Sequence, residues 1–266
     1  MNLGNWHTYD HYGYALFAVL GTFAAVGLIH WVMQRSPWVQ WVRSLHGVAP
    51  PFINIIGVLF GLTLAFLAND TWNAHDRAMN AVYKEADALR SLIALSTHLD
   101  EALQSNVHEV LADYVQANAA EWPLLAQRRI SPEVNAKGDT LLGLLSSIQL
   151  AQATGGNVQA LMLSKAMDIR DERNLRIGLS QTHINPLKWL GMAFLGFLTL
   201  ISIAVVHAEN ARAAFVAIML FALAAAPTAA IVLVQGNPFQ QPSSVSPAPI
   251  LLAVPPQVTQ PGSLRR

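Results

Sequence analysis

Carboxamides, phenyl rings and a few isolated charges are the side chains here that could act on a solute, and none is spaced as a catalytic set. Glu85 flanks an apolar helical stripe, and a carboxylate so placed calls for a cation. Arg170 or Arg173 is expected to supply it, in a structural ion pair joining distant helices. Glu121 stands directly before Trp122-Pro123, where it can cap or pair at a helix end. His7 and His11 are four apart with Asp10 beside them, a spacing that on a helix could present two metal ligands. The aromatic residues around them point to a place at a membrane interface instead, and no metal is expected. No phosphate loop, dinucleotide fingerprint, nucleophile elbow or pair of catalytic carboxylates occurs. The absence of cysteine excludes disulfides, thiolate metal sites and thiol catalysis. The chain reads as no enzyme, and no cofactor is implied.

The elements that must carry these residues are set by four charge-free apolar stretches, near residues 12–34, 52–68, 189–206 and 213–234. Each is long enough to cross ~30 Å of hydrocarbon as a helix. Trp6, Tyr9, Tyr12 and Tyr14 mark one end of the first stretch, and Trp31, Trp38 and Trp41 the other, as amphipathic rings do at headgroup level. Asn54, Thr63 and Asn69 are the polar residues on or beside the second span, with Phe52, Phe60 and Phe66 along it. If that helix lines a pore, these six side chains are what an ion would meet. Gly57, Gly61 and Ala65 form a small-residue line suited to close helix packing.

Between the second and third spans lie 14 acids and 10 bases of a chain that is neutral overall, so no nucleic-acid partner is implied. No glycine or proline occurs from Asn69 until Pro123. Residues Trp72, His75, Met79, Val82, Ala86, Leu89 and Ile93 recur at helical spacing, predicting one helix from about 52 to 95. Ser96-Thr97, as hydroxyl caps with Asp100-Glu101 as acids in the first turn, opens the next helix, Pro123 ends or kinks it, and Ser131-Pro132 opens another through about 149. A last helix covers about 158–180, after Gly155-Gly156. Nothing reads as strand. The fold class is an all-α integral membrane protein: four transmembrane helices, with a cytosolic antiparallel helical bundle inserted between the second and third.

The implied division is 1–69 for two spans, 70–185 for the bundle, 186–234 for two more spans and 235–266 for a tail. That tail holds seven prolines and is expected to run extended, with Ile250–Val254 docked on an unidentified surface. Arginine and lysine near the membrane ends favour both termini and the bundle on the cytoplasmic side of a bacterial inner membrane.

Several local signatures occur in order: Gly57-Val58-Leu59-Phe60-Gly61 into Trp72, the run from Glu85 to Leu89, and Tyr114 with Glu121-Trp122-Pro123. Arg170 and Arg173 follow, then Pro186 with Trp189, and finally Asn237-Pro238-Phe239. Together they resemble the bestrophin-like membrane proteins of bacteria and plants. Bestrophins proper are pentameric anion channels lined by a long second helix. The resemblance therefore implies a homo-oligomer in a lipid bilayer, a pentamer by analogy, with a small anion as permeant species. The acidic calcium clasp of animal bestrophins has no counterpart here. A non-conducting scaffold or sensor acting through the helical block is the alternative, and a small-molecule transporter a lesser one. Transporter chemistry would ask for ionisable groups at mid-membrane, which the spans lack.

Overall fold

The computed structural model describes residues 10–45, 50–182 and 185–254. Trp6, His7 and Tyr9 lie outside the described residues. Eleven helices and no strand are found among those described. They are α1 (Asp10–Arg35), α2 (Val39–Ser44), α3 (Pro50–Ser96), α4 (Glu101–Ala120), α5 (Trp122–Ala126) and α6 (Pro132–Leu145). After these come α7 (Ile148–Thr154), α8 (Gly156–Ser180), α9 (Pro186–Val206), α10 (Ala211–Val234) and α11 (Ala248–Leu251). Two compact units result, one from residues 1–73 and 183–236, the other from 74–182 and 237–266.

The first unit contains α1, α2, the first half of α3, α9 and α10. Four of its helices are long and apolar enough to cross a membrane. Their outward faces carry Leu16, Phe17, Leu20, Phe194, Leu220 and Ile231 uncovered. An apolar belt of that extent is the surface of a protein solvated by hydrocarbon. Asn185 and Asn210 cap α9 and α10 with side-chain oxygens that accept from the first free backbone N–H groups. Along α10 the buried line runs Ala214, Ile218, Ala222, Ala226 and Ala229, mostly alanines that admit close approach of neighbouring backbones. Val26, Ile29 and Met33 of α1 pack onto it, with Leu200 and Ala204 of α9. A second cluster joins Phe60, Leu67 and Ala68 of α3 to Met192 of α9 and Ala229 and Val232 of α10. Where α10 ends, Gly236 meets the first turn of α1, and Asp10 and His11 are buried there.

The second unit is a helical bundle with one core. From α3 it takes Ala78, Val82, Leu89 and Leu92, from α4 Val107, Leu111 and Val115, and from α6 and α8 Leu141, Leu145, Met162 and Ile169. Asp100 caps α4, accepting from Leu103 N–H at 2.8 Å. The helix expected to run from Ser131 through about 149 breaks at Ser146-Ser147 instead. Ser147 has an extended backbone and caps α7 through its hydroxyl, offering the chain a competing local bond. The tail also departs from expectation. Rather than running extended throughout, it forms the short α11, and Phe239, Val245, Ile250, Ala253 and Val254 close the bundle core.

The buried line of α3 in this unit is Ala78, Val82, Glu85, Leu89, Leu92 and Ser96. It is rotated by roughly 60° from the predicted stripe, at 3.6 residues per turn. Trp72 and Met79 are exposed, and Glu85 sits at the centre of the buried face rather than beside it. The alanines at 78, 81, 86 and 88 are all buried but too small to mark their side of the helix in the sequence, so its large residues set the apparent stripe.

A Cβ added at Gly236 would overlap the His11 ring, so Gly236→Ala must displace the start of α1. The expected loss is about 1–3 kcal/mol, read as a lowered unfolding temperature in detergent.

Candidate functional site

Glu85 on α3 is fully buried, and a carboxylate there requires a partner that is equally buried. That partner is Arg176 of α8. Its Nη2 lies 2.7 Å from Glu85 Oε2, and its Nε donates to the same oxygen at 2.9 Å. The other carboxylate oxygen accepts from the Tyr114 hydroxyl at 2.9 Å and from the Asn118 amide. The Asn118 carbonyl in turn accepts from Arg176 Nη2 at 2.9 Å, closing a ring of three side chains from α3, α4 and α8, to which Tyr114 adds a fourth. Over the guanidinium lies the Trp122 ring, 4.6 Å from centroid to Cζ. A cation on an aromatic face gains most when desolvated. Burial, and then the adjacent Glu85 carboxylate, push the Tyr114 phenol well above its ordinary value of 10.0, so it remains a donor.

A second pair lies beside the first. Arg173 grips Glu121 with two parallel bonds, Nη2 to Oε1 at 2.7 Å and Nε to Oε2 at 3.0 Å. Such bidentate geometry is what a planar guanidinium does best. Glu121 Oε1 also accepts from the Ser131 backbone N–H at 2.9 Å, and Arg173 Nη1 reaches Asn135 at 2.6 Å. Trp122 donates to the Val245 carbonyl at 2.7 Å and stands edge-on to Phe239 at 5.9 Å. Asn237 donates to the carbonyls of Leu125 and Ser180 and accepts from Phe239 N–H, while the Pro238 carbonyl accepts from Val245. The tail is thereby fastened over the ion pairs.

The structure corrects the expected pairing. Arg170 or Arg173 was expected to meet Glu85, but Arg173 holds Glu121, and Arg170 is exposed with no ion pair among the described residues. Arg176 is one helical turn further and lies on the same face of α8. Arg176 and Asn118 carry no local signature, and only a search for a cation three or four residues from Arg173 would have found the former. Of the other motif residues, Pro123 occupies the first turn of α5, and Trp189 packs against the α3–α9–α10 cluster. Trp72 donates to Gln235 at 3.2 Å within the membrane unit.

The six residues considered for a pore divide. Phe60 does not face outward: it is buried against α9 and α10, stacking obliquely on Phe221 at 5.4 Å, and its ring covers Gly196. Thr63 returns its hydroxyl to the Leu59 carbonyl at 2.8 Å. Phe52, Asn54, Phe66 and Asn69 are exposed. Gly57 and Gly61 touch no neighbouring helix of the chain, and Ala65 is exposed as well. Among the described residues, the close helix packing expected of this line is not made inside one copy of the chain. Helix periodicity places these small residues on a flank of α3, away from the Phe60 face.

A membrane unit of four apolar helices and a bundle tied by buried ion pairs define an all-α integral membrane protein. The Bestrophin-like domain matches residues 20–250, and the chain belongs to the bestrophin-like family. Among solved structures, two variants of a bacterial bestrophin homologue from Klebsiella pneumoniae superpose with a TM-score of 0.66. The first is 14% identical, covering 90% of this chain and 96% of that one. The second is 15% identical, covering 90% and 95%. A further crystal structure of a membrane protein gives a TM-score of 0.65 at 13% identity, covering 90% and 96%. At such identities the likeness is one of fold. No curated protein matches the chain in sequence.

Removing one member of a buried pair strands the other, so Glu85→Met or Arg176→Met should each cost about 3–5 kcal/mol. The double variant should recover much of that loss, giving a large coupling energy in a double-mutant cycle followed by thermal unfolding in detergent. Tyr114→Phe should cost about 1.5–3 kcal/mol, as loss of a hydrogen bond to a charge does. A phenol whose folded pKa is raised stabilises fully below its unfolded value, near 10.0, and loses that contribution as pH climbs towards the folded value. Unfolding temperature should therefore fall above about pH 10 through this group, and Tyr114→Phe should lack that component.

Proposed function

We propose that the protein is a homo-oligomeric anion channel of a bacterial inner membrane, with both termini cytoplasmic and α3 lining the conduction path. A pentamer is the assembly that resemblance to bestrophins suggests. The observation that carries this reading is the uncovered side of α3. Opposite the surface that packs on α9 and α10, Ile55, Val58, Leu62, Phe66 and Asn69 stand exposed along one line.

Copies arranged in a ring with this line inward would form an apolar constriction with Asn69 amides at one end. Asn54, on the edge of the same face, belongs near the other end. Hydrophobic constrictions gate by dewetting, and neutral donors bind an ion weakly enough for it to leave. Phenyl edges carry partial positive charge, which suits an anion passing Phe66. Gly57, Gly61 and Ala65 then become the flank against which a neighbouring copy's helix can approach.

Because the chain has no cysteine, each position can be tested with a single introduced thiol. Purified protein in chloride-loaded liposomes is expected to release chloride. A charged aqueous thiol reagent should block that release in Leu62→Cys and Phe66→Cys and leave Leu64→Cys, on the packed side, unaffected. Absence of flux, or equal block at all three positions, would refute the proposal.

A further inference from the structure

Between α6 and α8 the helical bundle has a recess of about 290 Å³, near the lower end of small-ligand sites. Asp139 stands on its α6 wall and Arg170 on its α8 wall. Both are exposed, neither makes a side-chain hydrogen bond or ion pair among the described residues, and they stand more than 4.0 Å apart. Their neighbours behave otherwise: Lys137 is paired with Asp113 at 2.5 Å and Lys165 with Asp168 at 2.8 Å. Arg173 also borders the recess, but its charge is already met by Glu121. What remains at the recess, among the described residues, is one cation and one anion without a partner facing a shared space, with Asn135 and Asn174 at the rim and Leu142 and Ile169 as an apolar floor.

We propose that this recess binds a small zwitterion, an α-amino acid with an apolar side chain. Its carboxylate would meet Arg170, its ammonium Asp139, and its side chain the Leu142–Ile169 floor. The charge pattern supplies the discrimination. A plain carboxylate is repelled by Asp139 and a plain amine by Arg170, so each half-ligand meets one unfavourable charge. Gly138 lies in the interior of α6 on the same wall, where glycine weakens a helix relative to alanine. An added Cβ there would meet the Tyr114 ring at an ordinary 3.8 Å, so packing does not demand glycine and the space it leaves belongs to the recess. Tyr114 and Asn135 line the site and also bond to Glu85 and Arg173, so occupancy bears directly on the buried network.

The test uses the full chain in detergent with L-leucine as probe, followed by calorimetric titration and by unfolding temperature. 4-Methylpentanoate and isopentylamine serve as the two half-ligands. Leucine is expected to bind and to raise the unfolding temperature, and the half-ligands to bind at least tenfold more weakly. Arg170→Gln and Asp139→Asn, both at exposed positions that leave the core intact, should each weaken leucine by roughly tenfold or more. Gly138→Leu should abolish binding by filling the recess. No leucine binding at ~10 mM, where even a millimolar site would be filled, would overturn the assignment. So would equal binding of 4-methylpentanoate, or leucine binding unchanged by both charge substitutions.

Discussion

Burying Glu85 is the constraint on which the helical bundle depends. An uncompensated carboxylate in its core would cost several kcal/mol, and the pair with Arg176 offsets that penalty more fully as the other polar atoms nearby are also met. Tyr114 and Asn118 meet the second carboxylate oxygen, and Asn118 also meets Arg176 Nη2, which fixes the rotation of α4 as well as of α8 about α3. Arg176 Nη1 has no hydrogen-bond partner among the described residues. Trp122 covers the guanidinium, and the tail covers Trp122. A buried pair of this kind adds little net stability over an apolar core of equal volume. What it does is penalise any arrangement in which α3, α4, α8 and the tail are not together.

Glu121 and Arg173 repeat the device one turn of α8 away and hold the loop that opens α6, through Ser131 and Asn135. The membrane unit is built on other physics. Its spans contain no charge, and in hydrocarbon there is no gain from burying one apolar surface against another, so contact depends on shape. Hence the alanine line of α10, the glycine under Phe60 and the missing Cβ at Gly236. Substitutions that add volume act there, whereas substitutions that remove a charge act in the bundle.

Legibility in the sequence followed the same divide. Span positions and the unbroken α3 were readable because each depends on the chain near it: charge-free length and absence of glycine and proline. Ser96 and Thr97, expected as the hydroxyl caps of α4, instead lie at the end of α3 and in the turn after it, and the carboxylate of Asp100 is the cap. Less readable was which side of α3 is buried, since alanine satisfies either side and Trp72 and Met79 weight the pattern the wrong way. Ser147 was also missed as a cap, for a serine is as common in an exposed turn.

Sequence alone determined an all-helical membrane protein with four spans, a charged helical block and an acid in that block needing an arginine, because hydrocarbon thickness and helix periodicity act on neighbouring residues. Tertiary structure decided which arginine answers Glu85, that Phe60 packs inward while Phe66 does not, and that the proline-rich tail seals the bundle. These choices depend on distances between residues far apart in the chain. Arg173 and Arg176 are equally good cations, and only the placing of Glu121 at the end of α4 and of Glu85 on α3 along α8 gives one to each.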